Sequence, residues 1–465
     1  MNTIQTNTSR NPLGYEKTKK LILKFAIPSI VSGLVSALYN IVDQIFIGQG
    51  VGILGNAATN AAFPLTTFCA ALTLLLGVGT AANFNLNQGA GKKEKAELAV
   101  GNGIIYLVIT GVALALLVSI FLEPVLYLFG ASDQVYPLAL TYTRITAIGI
   151  PFLLFSVGVS NFIRADGSPT YSMVCTLFGA VLNTILDPIF IFKFEMGIAG
   201  AAIATVISQM VSAAMAFAYL FRAKHVTWRR SLFRPQFSML KSIMTLGMSP
   251  FFNNVAMMLV QITMNNTLTY YGKQSIYGSD IPMACVGVIS KVNVIYMAFV
   301  IGTAQGCQPI FGFNYGAKQY DRVRRTFRQG LTTVTAISFV FFLCFQLLPR
   351  QIISIFGDGN ELYYQFGIRY FRIYMMLVLV NGFQPMCNFL FTATGKAKKG
   401  VIVSLTRQIL FLLPLILIFP LFFGIDGVMY AGPIADGAAA ILAIALVAPE
   451  LKRFKQAEAG MRTAS

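Results

Sequence analysis

Long apolar runs recur along the whole chain, and they restrict its fold more than any other feature. Twelve runs can be drawn, at residues 21–47, 54–86, 98–122, 135–163, 170–192, 197–221, 242–271, 282–313, 327–348, 362–391, 400–423 and 427–449. Each is long enough for a helix that crosses a bilayer, which needs ~20 residues. The chain is 56% hydrophobic and 11% charged, whereas a soluble domain is roughly 25% charged. We therefore predict an all-α integral membrane protein with 12 transmembrane helices, embedded in a lipid bilayer.

The basic residues predict how these helices are oriented. If the amino terminus is cytoplasmic, 27 Lys and Arg residues fall on the cytoplasmic side, 3 on the opposite side and 5 within the runs. Such an asymmetry is the usual signature of membrane orientation. The polar, basic segment 1–20 lacks the features of a cleavable signal peptide. We expect both termini in the cytoplasm.

The same distribution argues against nucleic acid as a partner, although the net charge is +18. The charges fall into short loops between apolar runs and form no continuous patch. The six cysteines lie inside apolar runs without the spacing of a metal site, so we expect small core residues. The single histidine, His225, lies in a basic loop, where we expect it to be solvated.

The two halves of the chain repeat each other. Four motif pairs lie 227 residues apart: Asn87-x-Gly89-Ala90 and Asn314-x-Gly316-Ala317, Phe129-Gly130 and Phe356-Gly357, Asn161-Phe162 and Asn388-Phe389, Gly197-Ile198-x-Gly200 and Gly424-Ile425-x-Gly427. A fifth pair, Tyr142-x-Arg144-Ile145 and Tyr370-x-Arg372-Ile373, is offset by 228. We predict a parallel six-plus-six repeat of two pseudo-symmetric six-helix bundles. The predicted parts are a tail (1–20), an N-lobe (21–222), a linker (223–241), a C-lobe (242–450) and a second tail (451–465).

Acidic residues inside the runs are the best candidates for function. A carboxylate at the bilayer centre costs ~2.5–3.5 kcal/mol, so Asp43 should face protein or water. Asp187 lies in the fifth run, and Asn183 precedes it by one helical turn on the same face. At ~1.5 Å per residue, Asp43, Asp187 and Thr205 lie roughly 7, 9 and 12 Å from the outer surface. These four side chains therefore share one layer if their helices are neighbours.

Such a layer offers oxygen atoms to Na⁺ or to protons, and two adjacent carboxylates would titrate as a coupled unit. Pro28 and Pro188 are the predicted bending points of the first and fifth helices, because proline interrupts helical hydrogen bonding. The alternative is a structural role, in which neighbouring polar groups satisfy both acids.

The second half lacks these acids. Asn265 stands opposite Asp43 at an offset of 222, and Pro414 stands opposite Asp187 at 227. Lys291 and Arg407 lie within its runs, and we expect a buried charge network with Asp436 that fixes helix packing, although binding of a substrate is the alternative. The ion site is therefore predicted in the first half only.

Several motifs together resemble the multidrug and toxic compound extrusion (MATE) family, in particular its bacterial MepA-type branch. They are Tyr39-Asn40-x-x-Asp43-x-x-Phe46-x-Gly48, Asn183-x-x-x-Asp187-Pro188 and Gly197-x-x-Gly200-Ala201-Ala202-x-Ala204-Thr205. The resemblance covers about residues 20–450. It implies two six-helix lobes in a V shape around a cleft. It also implies export of amphipathic, often cationic drugs, driven by H⁺ or Na⁺ and without a cofactor. The protein would act in the bacterial cytoplasmic membrane, as a monomer.

The family's first-lobe cation site carries over to Asp43, Asn183, Asp187 and Thr205. No metal site is expected beyond Na⁺ bound by these residues. The second lobe has Asn265, Asn381 and Gln384 where some members carry an acid, so a second ion site is not expected. Six residues are candidates for lining the substrate cleft: Tyr39, Asn40, Gln261, Asn265, Lys291 and Arg407.

Three other functions would each require a feature of their own. A lipid-linked sugar flippase of the same superfamily would need several cations in the cleft of both lobes to bind a pyrophosphate, whereas only about three of the cations within the runs lie at candidate cleft positions and the first lobe is net acidic. An intramembrane enzyme would need a nucleophile and base or a metal cluster within the spans. A channel would need a repeated polar stripe, which no run carries.

Overall fold

The computed structural model describes residues 11–128, 133–278, 280–356 and 360–463, and helices make up nearly all of this part. The predicted spans correspond to α1 (Thr18–Gly50), α2 (Ile53–Gly89), α3 (Lys93–Ile120), α4 (Tyr136–Ala165), α5 (Pro169–Pro188, continued by a π-helical segment, Ile189–Lys193), α6 (Gly197–Leu220), α7 (Phe237–Lys273), α8 (Asp280–Gly316), α9 (Tyr320–Leu347), α10 (Glu361–Tyr374, Val378–Asn381 and Phe383–Ala393), α11 (Ala397–Leu405, a π-helical segment Thr406–Leu412, and Leu413–Phe423) and α12 (Asp426–Thr463).

The predicted all-α membrane fold is confirmed, with one helix bent. Eleven of these helices are long and apolar enough to cross a membrane unbroken. The tenth consists of a pair, Glu361–Tyr374 and Val378–Ala393, that bends by 49°. The side chain of Asn360 accepts a hydrogen bond from the backbone N–H of Tyr363 and so caps the first piece. If this pair is one span, there are twelve.

The backbone repeats with the same offset as the sequence. Positive φ angles occur at Gly91 and Lys318, at Gly167 and Gly395, and at Gly197 and Gly424, which are pairs separated by 227 or 228 residues. The helices that follow them begin at corresponding places. Of the repeated motifs, Phe129-Gly130 and Gly357 lie outside the described residues.

The predicted linker is held against the first half of the chain. The carboxylate of Asp166 accepts hydrogen bonds from the backbone N–H groups of Lys224 and His225, and the ring Nδ1 of His225 lies 2.9 Å from Asp166 Oδ1. The expectation of a merely solvated histidine was therefore wrong. Asn102 donates to the carbonyl oxygen of Leu232 over 3.1 Å, which fixes the next turn of the linker.

Contacts divide the chain into two compact units, each with its own hydrophobic core. The first unit contains residues 31–251, and the second contains residues 11–30 together with the chain from 252 onward. Both divisions fall inside helices. One lies just after Pro28 in α1, and the other just after Pro250 in α7.

Glycines explain why each unit contains the first part of the other repeat's first helix. In the first unit, a Cβ added at Gly247 of α7 would lie 1.8 Å from the carbonyl oxygen of Leu75 in α2. In the second unit, a Cβ at Gly306 of α8 would lie 2.6 Å from the backbone nitrogen of Ala26 in α1. Only glycine permits such close backbone packing. The lobe boundaries predicted from the sequence follow hydrophobicity. They therefore miss this exchange of half-helices, in which the start of α1 belongs to the second unit and the start of α7 to the first.

Candidate functional site

The four predicted cation-site residues meet inside the first unit. Asp43 lies about two turns before the end of α1, and Asp187 lies one residue before the end of the α-helical part of α5. Thr205 lies in the third turn of α6, which begins four residues after the π-helical end of α5. Because consecutive spans run in opposite directions, these three positions lie at the same end of their helices. The layer expected from residue counting is therefore present.

Hydrogen bonds join the group. The amide nitrogen Nδ2 of Asn183 donates to Asp187 Oδ1 over 3.2 Å and lies 3.5 Å from Thr205 Oγ1. The side chains of Asp43 and Asp187 are themselves within hydrogen-bonding range of each other. Asp187 is 0% exposed, Asn183 2% and Asp43 8%. Both carboxyl groups are thus held together and away from water.

Three oxygen atoms of this site have no donor among the described residues. They are Asp43 Oδ1, Asp187 Oδ2 and Asn183 Oδ1, and all three are buried. Within that part of the chain, neither acid forms an ion pair with a basic residue. Buried acceptors without donors are costly, and unpaired buried charges more so. The arrangement therefore favours occupancy by a proton or another small cation.

The regular α-helical hydrogen bonding of α5 ends at the site. The α-helix ends at Pro188, directly after Asp187, and the π-helical segment Ile189–Lys193 follows. Proline has no N–H to donate, and π-helical segments occur frequently at functional sites. Pro28, by contrast, lies within the continuous helix α1. The predicted bending of both helices stays a prediction.

Tyrosines complete the site, and one of them was missed in the sequence. Tyr142 of α4 is buried and lies near Asp43, Asp187 and Thr205. The sequence feature that could have identified it is its place in the repeated motif Tyr142-x-Arg144-Ile145. This motif lies about two turns into α4, which begins at the same end of the spans as α6. Tyr39, a cleft candidate, also lies near both acids, whereas Asn40 is exposed and donates to the carbonyl oxygen of Ser36 over 2.7 Å.

Of the cleft candidates in the second half, Gln261 and Arg407 line one cavity, whereas Lys291 and Asn265 are not part of its lining. Arg407 Nε donates to Asp436 Oδ1 over 2.5 Å, as expected for a charge pair. Lys291 is exposed and forms no ion pair among the described residues, so its place in that network was wrong. Gln261 Nε2 donates to Asn265 Oδ1 over 2.9 Å, one turn further along α7.

Comparison with known proteins supports the resemblance. The sequence model of the MatE family matches residues 28–189 and 251–418. Multidrug export protein MepA of Staphylococcus aureus (strain MSSA476) is 23% identical over 429 residues, covering 92% of this chain and 93% of that protein. MepA of Staphylococcus saprophyticus is 24% identical over 442 residues, covering 93% and 94% respectively.

Solved structures share the fold. An outward-facing multidrug resistance MATE family transporter of the MOP superfamily aligns with a TM-score of 0.89 at 23% identity, over 96% of this chain and 98% of that one. The family match covers more than half of the sequence and includes a segment from each repeat. The chain therefore belongs to the MatE family.

Proposed function

We propose that this protein is a secondary active exporter, which expels small amphipathic compounds from the cell in exchange for H⁺ or Na⁺. Membership of the MatE family supports transport. The names of its MepA relatives support multidrug export as the kind of transport. In this proposal the protein works as a monomer in the cytoplasmic membrane, with both termini in the cytoplasm. It needs no cofactor and converts no substrate chemically.

The main support for ion coupling is the set of buried oxygen atoms without donors at Asp43, Asn183 and Asp187. A proton or a Na⁺ ion entering from the outer end would satisfy them and neutralise the pair of acids. Coupling requires only that the ion and the exported compound prefer different conformations of the protein. Ion binding would then favour release of the compound, and loss of the ion to the cytoplasm would reset the carrier.

The conformational change is assigned to α1 and α5. Pro28 precedes the point at which α1 passes from the second unit to the first. Pro188 directly follows Asp187 and precedes the π-helical segment. Each of the two helices thus contains both an acid of the site and a proline that interrupts its regular hydrogen bonding. We propose that neutralising the acids bends them at these prolines.

Neutral variants of the two acids test this proposal. Asp43→Asn and Asp187→Asn remove the exchangeable charge and keep the size of the side chain. Each should abolish resistance to exported drugs in a drug-sensitive host, while the amount of protein in the membrane stays the same. The matched control is Asp133→Asn, at an exposed position, which should retain full resistance. Full resistance conferred by both site variants would refute the assignment.

A further inference from the structure

A separate cavity lies in the second unit, between α7, α8, α10 and α11. Its volume is about 140 Å³. Its deep wall is apolar and buried, with Ile289, Leu412 and Met375 each at most 3% exposed. Met257 and Val294 line it as well and are 50% and 52% exposed, so the cavity opens on that side. The result is a partly enclosed pocket with an apolar deep wall and an open side.

One positive charge faces this cavity. Arg407 lines it from the π-helical segment of α11, and its side chain is only 11% exposed. Its Nε atom is engaged by Asp436, and no hydrogen bond between described residues occupies the two terminal nitrogens. A guanidinium group carries five N–H donors, so it can hold Asp436 and a second acceptor at once.

Two of the lining residues carry a buried polar atom that has no hydrogen-bond partner in the described part of the chain. The hydroxyl group of Tyr370 is buried, with the residue 1% exposed, and the carbonyl oxygen Oδ1 of Asn293 is buried too. Leaving such groups unsatisfied costs free energy, so they are rare in a merely structural core. Tyr370 is also the repeat counterpart of Tyr142 at the cation site.

We propose that this cavity binds an aromatic carboxylate, which is a substrate class for the exporter proposed above and so rests on that proposal. The carboxylate accepts hydrogen bonds from the free nitrogens of Arg407, the pairing for which a guanidinium group is best suited. The hydroxyl of Tyr370 donates to the same carboxylate. Asn293 Oδ1 accepts from an N–H or O–H group of the compound.

The size of the cavity supports a ring as the apolar part. An engineered apolar cavity of ~150 Å³ binds benzene, so a space of this volume holds one aromatic ring. The ring of Tyr374 stacks on that of Tyr370, with centroids 5.0 Å apart, and both line the pocket. Any larger part of the compound would extend past the open edge at Met257 and Val294.

Binding to the purified full-length protein in lipid nanodiscs tests the inference. The probes are biphenyl-4-carboxylate, its uncharged amide and the corresponding methylamine, measured by equilibrium dialysis. The carboxylate should bind at least about tenfold more tightly than either analogue, because only it forms charge-assisted hydrogen bonds with Arg407. Equal binding of the carboxylate and the amide would overturn the proposal.

Variants locate the site without breaking the ion pair. Ser290→Leu fills the cavity from α8 and should weaken carboxylate binding at least about tenfold. The matched control Ser119→Leu, at an exposed position on α3, should bind as the unaltered protein does. Tyr370→Phe removes only the unpartnered hydroxyl and should weaken binding a few-fold while the protein remains folded. Unchanged binding by Ser290→Leu would contradict the assignment.

Export in proteoliposomes separates this inference from the proposed function. If a cationic dye is exported along an ion gradient while the carboxylate does not bind, only the aromatic carboxylate site is refuted. If the carboxylate binds as expected while no ion gradient drives export of any compound, the cavity stands and the proposed antiport fails.

Discussion

At the scale of single residues, two buried pairs of ionisable side chains differ in how their charges are compensated. Asp43 and Asp187 lie together with oxygen atoms that have no donor among the described residues. Arg407 and Asp436 already neutralise each other. A buried charge must find a partner, either fixed or exchangeable. The first pair therefore suits reversible ion binding, whereas the second is a fixed ion pair that leaves only the terminal nitrogens of Arg407 to a further acceptor.

This difference predicts the cost of breaking the second pair. Arg407→Met leaves Asp436 buried without a partner and should destabilise the protein by ~3–5 kcal/mol. The double variant with Asp436→Leu should recover most of the loss, because no charge then remains buried. Thermal unfolding in detergent measures both effects.

The control for that measurement is another Arg–Asp pair. Arg369 lies 2.9 Å from Asp426, but the two side chains are 47% and 27% exposed. Arg369→Met should therefore cost only ~0–1 kcal/mol. Equal losses at the two arginines would show that burial does not set the cost.

The sequence predicted much of the candidate site and missed the rest for a physical reason. Carboxylates within apolar runs are rare, so Asp43 and Asp187 stood out, and counting residues predicted their common layer. Tyr142 could not be recognised in this way, because tyrosines in membrane helices mostly pack or face lipid. Lys291 was misjudged because helical position alone does not give the direction of a side chain.

At the scale of helices, close backbone contacts hold α7 against α2. A methyl group at Gly247 would lie 1.8 Å from the carbonyl oxygen of Leu75, which is part of the backbone and cannot rotate away. Gly247→Ala should therefore lower stability by ~1–3 kcal/mol, the usual cost of overpacking. The same change at Gly287, where nothing lies within 4 Å of an added Cβ, should not lower it. Thermal unfolding of both variants provides the comparison, and equal midpoints would contradict the packing argument.

The proposed bending of α1 can be tested at the same scale. Pro28→Ala restores a backbone donor inside the helix and should make it stiffer. We expect the initial rate of drug efflux to fall at least about tenfold while drug binding is retained, because only the conformational change is impeded. Pro64→Ala, inside α2 and away from the unit boundaries, is the matched control. If the two variants export equally well, Pro28 is not the hinge.

At the scale of the whole molecule, the exchange of half-helices defines the units. The twelve spans and the six-plus-six repeat were readable from hydrophobicity and from the constant offset. The sequence did not reveal which half-helix packs on which unit, because an apolar helix face does not specify its neighbour. The close contacts at Gly247 and Gly306 carry that information, and single glycines in apolar runs are too common to interpret beforehand.

The division predicts how fragments behave. A fragment of residues 31–251 contains a complete unit, including the part of α7 that packs on Gly79. A fragment of residues 21–222, bounded by hydrophobicity alone, lacks that part and leaves α2 uncovered. We expect the first fragment to give a higher yield of monodisperse protein in detergent and greater resistance to proteolysis. Equal behaviour of both fragments would contradict the division.

In the proposed mechanism, export is driven by an ion bound at Asp43 and Asp187. The most direct measurement is drug efflux from proteoliposomes, with a pH gradient and a Na⁺ gradient imposed separately. At least one gradient should drive efflux by the unaltered protein, and neither should drive it in Asp187→Asn. Gradient-driven efflux of equal rate in that variant would contradict the account.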